Sequence, residues 1–553
     1  MNNVGIIPIL LGLISASGIV QESKQLNFDR SKLEQAEDHS ESLANDLLDL
    51  SVALRRQDLS QISKYFAEEI EGTAFPSQPK PLAPETKWLS RRDWNLAKTP
   101  SRIHRDDFRQ SLQGFLSHFI DIEDFRLKVK QADFEIDRPV HGRARVFIFL
   151  VGRNQDGLRE WVRGYIQTQA QHINEGPWQI THWDMESLSS LVSEKDLFSE
   201  ITAPAGLWEE APPFGEPPND GFVAHGAAVA DVNEDGLLDL LTSGVTGSRL
   251  YLNEATGRFR DVSDESLVRY SRTGTGALFL DYDNDGDQDI FMAAVGNQIL
   301  LQNQSRPEGI LRFIDVSGPA GVEMPAVGFS AVAADVNRDG WTDIYVASYN
   351  RYGRVMPNAW GKADNGTPNL LFINQGDGRF REEAKKWGVN DGRWSYAAAF
   401  ADISGDGLQD LYVANDFGEN ALYINQGDRF RDEARERGVI DPGNGMGVSY
   451  GDFDNDGDLD IHVTNMSSTA GNRILARLMP GASAGSAVLK KLAAGNSIFE
   501  NLGDGTFRNV AQRAGGLSAG WAFGGGFFDF DNDGWEDEYS VNGFVSGKTM
   551  KDT

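Results

Sequence analysis

The feature that most constrains the fold is an acidic nine-residue motif, D-x-[DNS]-x-D-G-x-x-D, that recurs six times between residues 231 and 537. Successive copies begin 50, 54, 67, 50 and 77 residues apart, at Asp231, Asp281, Asp335, Asp402, Asp452 and Asp529. About 50 residues is the length of one four-stranded propeller blade, and the longer intervals indicate insertions. The spacing therefore predicts a β-propeller.

The residues around each acidic motif supply the four strands of a blade. The motif lies between two strand-like runs, a third run ends in an Asn-x-Gly turn, and a fourth begins at a recurring Phe. The Phe motifs start at Phe198, Phe259, Phe313, Phe380, Phe430 and Phe507. We therefore expect an all-β propeller of six blades over residues 197–553, with a seven-bladed ring as the alternative. Segment 197–202 is predicted to be the outer strand that completes the last blade, because the chain continues for only 16 residues beyond Asp537.

The acidic motif has the chemistry of a calcium loop. Calcium takes six to eight oxygen ligands, and the side chains at positions 1, 3, 5 and 9 with the carbonyl of position 7 can supply them around the turn that Gly at position 6 permits. The spacing is that of an EF-hand, but Glu at position 12 and the flanking helices are missing. A single motif could be an acidic turn closing a hairpin, whereas six copies in register favour calcium over both that reading and magnesium.

The predicted cofactor is thus calcium, up to six ions. The predicted ligands are Asp231, Asn233, Asp235 and Asp239; Asp281, Asp283, Asp285 and Asp289; Asp335, Asn337, Asp339 and Asp343; Asp402, Ser404, Asp406 and Asp410; Asp452, Asp454, Asp456 and Asp460; and Asp529, Asp531, Asp533 and Asp537.

With the acidic loop and the Phe motif together, residues 197–553 resemble FG-GAP or VCBS repeats, as found in integrin α-chain propellers. The chain is most similar to the ASPIC/UnbV, or cartilage acidic protein-like, group. The resemblance implies a calcium-loaded extracellular propeller with a binding or adhesive role and no established chemistry. The family pattern continues with a further repeat and a C-terminal region, which places ring closure in question.

The residues before the propeller divide into three predicted segments. Residues 1–18, apolar and then small, predict a secretory signal peptide. Residues 19–42 are predicted to be a linker. Residues 43–192 predict an α+β domain with helices followed by four strands, and they resemble the SnoaL-like or nuclear-transport-factor-2-like cone; residues 72–103 are expected to be irregular. His172, His182 and Asp184 could line a pocket in such a cone, or could simply be the exposed residues of a half-buried strand.

Charge and cysteine content narrow the partners. The chain has 82 acidic and 52 basic residues, a net charge of -30, which argues against nucleic acid or an anionic membrane and in favour of cations. The absence of cysteine excludes disulfides and thiolate sites. With the signal peptide, these features predict an extracellular or periplasmic protein of a bacterium that does not insert into the membrane after cleavage.

The binding surface is predicted on the face opposite the calcium loops. Two long connections lie there, at 348–368 and 466–497, and the first carries Arg351, Tyr352, Arg354 and Trp360 as candidate partner-binding residues. These insertions could instead pack on each other as lids. We expect an adhesion or binding module for an extracellular protein or glycan, not an enzyme. The alternatives are a calcium-dependent propeller enzyme acting on polysaccharide and a small-ligand protein working through the cone.

Overall fold

The computed structural model describes residues 30–542 except 85–87, 136–138, 174–175, 209–225, 245–246, 270–273, 306–309, 351–354, 360–361 and 468–490. The predicted signal peptide lies outside these residues. An N-terminal α+β unit precedes a propeller, as the sequence predicted. No helix in the described part of the chain combines the length and the apolar character needed to span a bilayer.

The predicted linker over 19–42 is wrong for its second half, because helix α1 extends over Arg30–Arg55. Glu37 and Ser40 of this stretch are 3 % and 0 % exposed, and they lie about two turns and one turn before the buried Leu43. The hydroxyl of Ser40 donates to the carbonyl of Ala36 at 2.8 Å. The part of the helix before Leu43 was hidden in the sequence because its buried positions are polar.

The rest of the α+β unit is a curved sheet covered by helices. After a short 3-10 turn (Leu59–Gln61), capped by Asp58, come α2 (Ile62–Tyr65) and α3 (Arg105–Leu116). The strands are β1 (Phe66–Gly72), β2 (Pro79–Pro84), β3 (Leu89–Trp94), β4 (Ser101–His104), β5 (Phe119–Glu135), β6 (Val140–Asn154), β7 (Arg159–His172) and β8 (Gln179–Ser193).

The sheet runs in the order β2-β3-β8-β7-β6-β5, with β1 beside β8 and β4 beside β1. The expectation that residues 72–103 are irregular is therefore wrong. Its prolines, among them Pro79, Pro81 and Pro84, lie in β2 at the sheet edge, where a missing N–H costs no ladder bond. Phe66, Phe108, Phe115 and Trp183 fill the space between the helices and the sheet.

The second unit consists of short antiparallel blades. Five of them have four strands each: β9 (Gly226–Ala230), β10 (Asp239–Ser243), β11 (Arg249–Asn253) and β12 (Phe259–Asp261); β13 (Gly274–Leu280), β14 (Asp289–Asn297), β15 (Ile299–Asn303) and β16 (Phe313–Asp315); β17 (Pro325–Ala334), β18 (Asp343–Ser348), β19 (Leu370–Asn374) and β20 (Phe380–Glu382); β21 (Trp394–Ala401), β22 (Asp410–Phe417), β23 (Ala421–Asn425) and β24 (Phe430–Asp432); β25 (Gly447–Gly451), β26 (Asp460–Thr464), β27 (Ser497–Asn501) and β28 (Phe507–Asn509).

Consecutive blades pack through their first strands, β9 against β13, β13 against β17 and so on to β29 (Ala522–Phe528). Single-turn helices α4 (Ala384–Trp387) and α5 (Ala511–Ala514) follow two of the outer strands. Small residues dominate the first strands, as in Gly226–Ala230 and Ala522–Phe528, because the blades crowd together there. The acidic loops join first and second strands, so all six lie on one face.

In the last blade the described residues form only β29 and β30 (Asp537–Asn542). The predicted outer strand at 197–202 is wrong: the structure assigns it no strand, and Ala205 and Leu207 just beyond it donate hydrogen bonds within a local turn. An outer strand pairs with a third strand, which the described part of this blade does not contain. The segment nevertheless reaches the blade, because the rings of Phe198 and Phe530 lie 5.6 Å apart.

Candidate metal centres

The six acidic loops share one hydrogen-bonded conformation. In each, the Asp at position 1 accepts the N–H groups of positions 5 and 6, one on each carboxylate oxygen. In the second loop, Asp281 accepts from Asp285 at 3.2 Å and from Gly286 at 3.0 Å. The first carboxylate therefore folds the chain around itself before any ion is bound.

Two positions of every loop adopt left-handed backbone angles. Gly at position 6 has φ between 83° and 93°, and position 4 has φ between 57° and 73°. Position 4 is Glu234, Asn284, Arg338, Gly405, Asn455 and Asn532 in chain order. Glycine and asparagine adopt this conformation most readily, which explains the requirement for Gly at position 6 and the Asn preference at position 4.

The side chains at positions 3 and 5 face the centre of the loop. Position 5 accepts the N–H of position 7 in all six copies. In three loops the position-3 residue is Asp283, Asp454 or Asp531, and its Oδ1 is buried with no hydrogen-bond partner among the described residues. A buried carboxylate oxygen without a donor carries a large desolvation cost, which a bound cation would offset.

Carboxylate oxygens converge in the same three loops. Ligand atoms lie within 4.8 Å of one another in three groups: Asp281, Asp283 and Asp285; Asp452, Asp454 and Asp460; and Asp529, Asp531 and Asp537. These aspartate clusters could each hold an ion. The structure thus brings together three of the four predicted residues in each of these loops, and Asp289, Asp456 and Asp533 stand outside the three groups.

The other three loops have fewer carboxylates. In the first and third, Asn233 and Asn337 at position 3 donate Nδ2 to Asp235 and Asp339 at 3.0 and 2.8 Å. In the fourth, Ser404 occupies position 3, and its buried hydroxyl has no partner in the described structure. Asp231, Asp335 and Asp402 still fold their loops as in the other copies, so the geometry is conserved while the ligand charge falls.

The aspartate at position 9 does more than the sequence predicted. Its Oδ2 accepts the N–H of position 2 in every loop, and in the first five blades its Oδ1 accepts the N–H of the Asn that ends the third strand. Those five residues, Asp239, Asp289, Asp343, Asp410 and Asp460, are at most 1 % exposed. Position 9 therefore fastens the loop to the blade.

Burial and neighbouring loop carboxylates raise the pKa of these aspartates. The pKa of Asp289 rises to about 8, and those of Asp343 and Asp460 rise to about 7. Backbone hydrogen bonds act in the opposite direction but do not compensate. A cation in the loop would remove the repulsion and favour the ionised form.

The third-strand asparagines are a feature that sequence reasoning missed, although the Asn-x-Gly turn was visible. Besides its bond to position 9, the side chain of Asn374 donates to the carbonyl of Tyr282 in the preceding loop at 2.7 Å. Asn425 makes the equivalent bond to Val336 at 2.8 Å, and Asn303 to Val232 at 3.5 Å. Each of these asparagines ties its own blade to the loop before it.

The predicted pocket residues of the α+β unit do not face its interior. His182 pairs with Gln169 and Asp184 with Gln167 across β7 and β8, on the face opposite the buried Trp183. His172 lies against Trp178, with ring centroids 5.0 Å apart. The structure therefore supports the interpretation that they are the outward residues of half-buried strands.

A different polar group is buried in this unit. Glu160, fully buried, accepts hydrogen bonds from His118 and Asn154 at 2.9 Å and lies 3.4 Å from Arg92. Burial raises its pKa, but the hydrogen bonds, that of His118 first, outweigh burial and lower it. The cluster joins α3, β3, β6 and β7, and its partners are internal, which is typical of a structural ion pair.

The predicted partner-binding residues Arg351, Tyr352, Arg354 and Trp360 lie outside the described residues. The base of their insertion is described: Tyr349 is 1 % exposed, and its carbonyl accepts the N–H of Thr367 at 2.8 Å. The hydroxyl of Tyr349 donates to the half-buried Asp416, whose pKa desolvation raises to about 6. The insertion therefore leaves the blade from a rigid base.

Comparison with known proteins identifies the repeats. An FG-GAP-like repeat model matches residues 231–292, 335–413, 402–463 and 487–540, which include all six acidic loops. These residues are FG-GAP-like repeats, and the predicted resemblance to FG-GAP repeats is confirmed for them.

The curated relatives include cartilage acidic protein 1. The mouse protein is 29 % identical over 223 residues, which cover 37 % of this chain and 34 % of the mouse protein. The human protein is 30 % identical over the same length, covering 37 % of this chain and 33 % of the human protein. The match thus spans about a third of the length of these relatives.

Among solved structures, an Agrocybe aegerita lectin that recognises non-reducing terminal N-acetylglucosamine overlaps 86 % of this chain and 99 % of its own. The identity is 15 % and the TM-score 0.30. At that level of similarity no functional argument rests on the overlap.

Proposed function

We propose that this protein is an exported, calcium-loaded β-propeller that acts as a binding or adhesion module for an extracellular protein or glycan and has no catalytic activity of its own. Calcium is the ion that the loops favour, because they offer hard oxygen ligands in a flexible arrangement and no nitrogen or sulfur. The family membership and the acidic surface agree with an extracellular location.

One observation carries the calcium assignment. In three loops of identical backbone conformation, a buried Oδ1 at position 3, that of Asp283, Asp454 or Asp531, has no donor in the described structure and lies beside further carboxylates. An acidic turn that merely closes a hairpin has no need for such an atom, because it gains stability only from hydrogen-bonded carboxylates.

The loops are expected to differ in affinity, because more ligand charge gives tighter binding. The loops at Asp281, Asp452 and Asp529 should fill first, those at Asp231 and Asp335 next, and that at Asp402, with Ser404 at position 3, last. Anomalous scattering from crystals grown at limiting calcium measures the occupancy of each loop. Occupancy at Asp402 with empty loops at Asp281, Asp452 and Asp529 would contradict this order.

The binding role is tested by screening glycan and protein arrays with and without calcium. We expect a partner whose binding needs calcium, because the ions hold the blades that display the insertions. The triple variant Arg351→Ala, Tyr352→Ala and Trp360→Ala should lose that binding and keep its calcium content and melting temperature. Turnover of a polysaccharide on the array would instead favour an enzyme, and calcium-independent capture of a small ligand would favour the α+β unit.

A further inference from the structure

Neighbouring acidic loops are joined by hydrogen bonds that start at position 4. Nδ2 of Asn284 donates to the carbonyl of Gly340 at 3.1 Å. Arg338 donates from Nε to Gly407 at 3.1 Å and from Nη2 to Asp406 at 3.3 Å, and Nδ2 of Asn455 donates to Gly534 at 2.8 Å. In each case the donor belongs to one loop and the main acceptor is the position-6 carbonyl of the next loop.

Two loops lack a side chain at position 4 that can donate such a bond. Position 4 of the fourth loop is Gly405, which has no side chain and cannot reach the fifth loop. Position 4 of the first loop is Glu234, whose ionised carboxylate has no N–H to donate to a carbonyl. The second, third and fourth loops therefore form one linked group, and the fifth and sixth form another.

The links act on the parts of the loop that would hold an ion. Position 4 lies between ligand positions 3 and 5, so an ion that orders those two side chains also orders the link residue between them. The acceptor carbonyl belongs to the same peptide as the N–H of position 7, which bonds to the position-5 carboxylate, as Trp535 does to Asp533 at 2.9 Å. Ordering one loop therefore lowers the entropy cost of ordering the next.

We infer that the loops bind calcium in two coupled groups. The loops that start at Asp281, Asp335 and Asp402 form one group, and those that start at Asp452 and Asp529 form the other. Asn284, Arg338 and Asn455 are the positioning residues that link neighbouring loops, and Gly405 separates the two groups. This inference rests on the proposed function, since it concerns how the same loops bind calcium. Because coupling between sites is reciprocal, each member of a group raises the affinity of its neighbour.

The chain contains its own reporter for one group. Trp535 occupies position 7 of the sixth loop, where it can sensitise the luminescence of terbium, a trivalent ion that replaces calcium among oxygen ligands. Full-length protein with Trp341→Phe lacks the equivalent tryptophan of the third loop, so that Trp535 alone reports from this loop position. Adding Trp535→Phe to this protein gives the background emission. In the Trp341→Phe protein, Asp454→Ala weakens ion binding in the fifth loop. We expect it also to weaken terbium binding at the sixth loop about fivefold or more.

The matched control removes only the link. Asn455→Gly should abolish the effect of Asp454→Ala on the sixth loop, because the donor to Gly534 is gone. Glycine at this position does not distort the loop: Gly405 occupies it naturally at φ 73°, against 58° for Asn455.

The reciprocal variant builds a link where the chain has none. The Cβ of a residue at Gly405 would meet nothing within 4 Å, so Gly405→Asn has room for its side chain. Asp406→Ala in the fourth loop should leave terbium binding at the sixth loop unchanged in the natural sequence and weaken it in the Gly405→Asn protein.

Different results would contradict the proposed metal binding and the proposed coupling between loops. Absence of Trp535-sensitised emission at all terbium concentrations, in folded protein, would overturn the proposed metal binding itself. The coupling would be contradicted if Asp454→Ala left terbium affinity at the sixth loop unchanged, or if Asp454→Ala still lowered that affinity in the Asn455→Gly protein. Neither result would contradict the proposed function.

Discussion

Removing calcium is expected to lower the melting temperature of the propeller by about 10 °C or more. A site held at a hundred times its dissociation constant contributes about 2.7 kcal/mol, so the three clusters at Asp281, Asp452 and Asp529 together contribute about 8 kcal/mol. For a domain of this size each kilocalorie corresponds to about 2 °C. Differential scanning calorimetry before and after exhaustive chelation measures the change.

The control for chelation is a protein whose three clusters have lost position 3, through Asp283→Ala, Asp454→Ala and Asp531→Ala. Chelation should lower the melting temperature of this variant much less than that of the unaltered chain. In the unaltered, chelated chain, added magnesium should restore less stability than calcium, because magnesium retains its waters and demands octahedral coordination. If chelation did not change the melting temperature of the unaltered chain, the loops would be acidic turns that bind no calcium.

Asp343→Ala is expected to destabilise the metal-free protein by about 2 to 6 kcal/mol. The carboxylate of Asp343 accepts the N–H groups of Val336 and Asn374 at 3.0 and 2.8 Å, and all three residues are at most 1 % exposed. A buried N–H left without an acceptor costs about 1 to 3 kcal/mol, and the substitution leaves two. Urea unfolding in the presence of a chelator gives the free energy of unfolding.

Asp339→Ala is the matched comparison in the same loop. Asp339 is exposed, and its loss frees the N–H of Trp341 and the side-chain amide of Asn337, both at the surface where water can replace the carboxylate, so the cost in metal-free protein should stay near or below about 1 kcal/mol. Asp343→Asn should lower the free energy of unfolding about as much as Asp343→Ala. The amide offers one acceptor oxygen, and its NH2 group faces the second buried N–H. Equal effects of Asp339→Ala and Asp343→Ala would contradict the fastening role of position 9.

Much of the fold could be predicted because the repeat is visible in the sequence. The acidic loops and the Phe motifs place the strands of the first five blades, and the loop pattern predicts that positions 1 and 3 converge in the three all-Asp loops. The role of position 9 could not be predicted from spacing, because a ligand and a hydrogen-bonded anchor both require an Asp there. Only the register between β18 and β19 shows that Asp343 meets Asn374.

The predictions that failed did so where sequence pattern and burial disagree. The first half of helix α1 was assigned to a linker because Glu37 and Ser40 are polar and nevertheless buried. Segment 197–202 matches an outer strand by its Phe, but a strand forms only beside a hydrogen-bonding neighbour, which the motif does not encode. Prolines concealed β2, since a sequence does not reveal which strands lie at the edge of a sheet.

The asparagines that tie each blade to the preceding loop impose an order on synthesis. The loop that starts at Asp281 is complete only when Asn374 supplies its donor to Tyr282, 92 residues further along the chain. A chain leaving the ribosome therefore finishes each ion site one repeat after making it. This holds for the loops at Asp231, Asp281 and Asp335, each of which gains its last hydrogen bond only after the third strand of the following blade has been made.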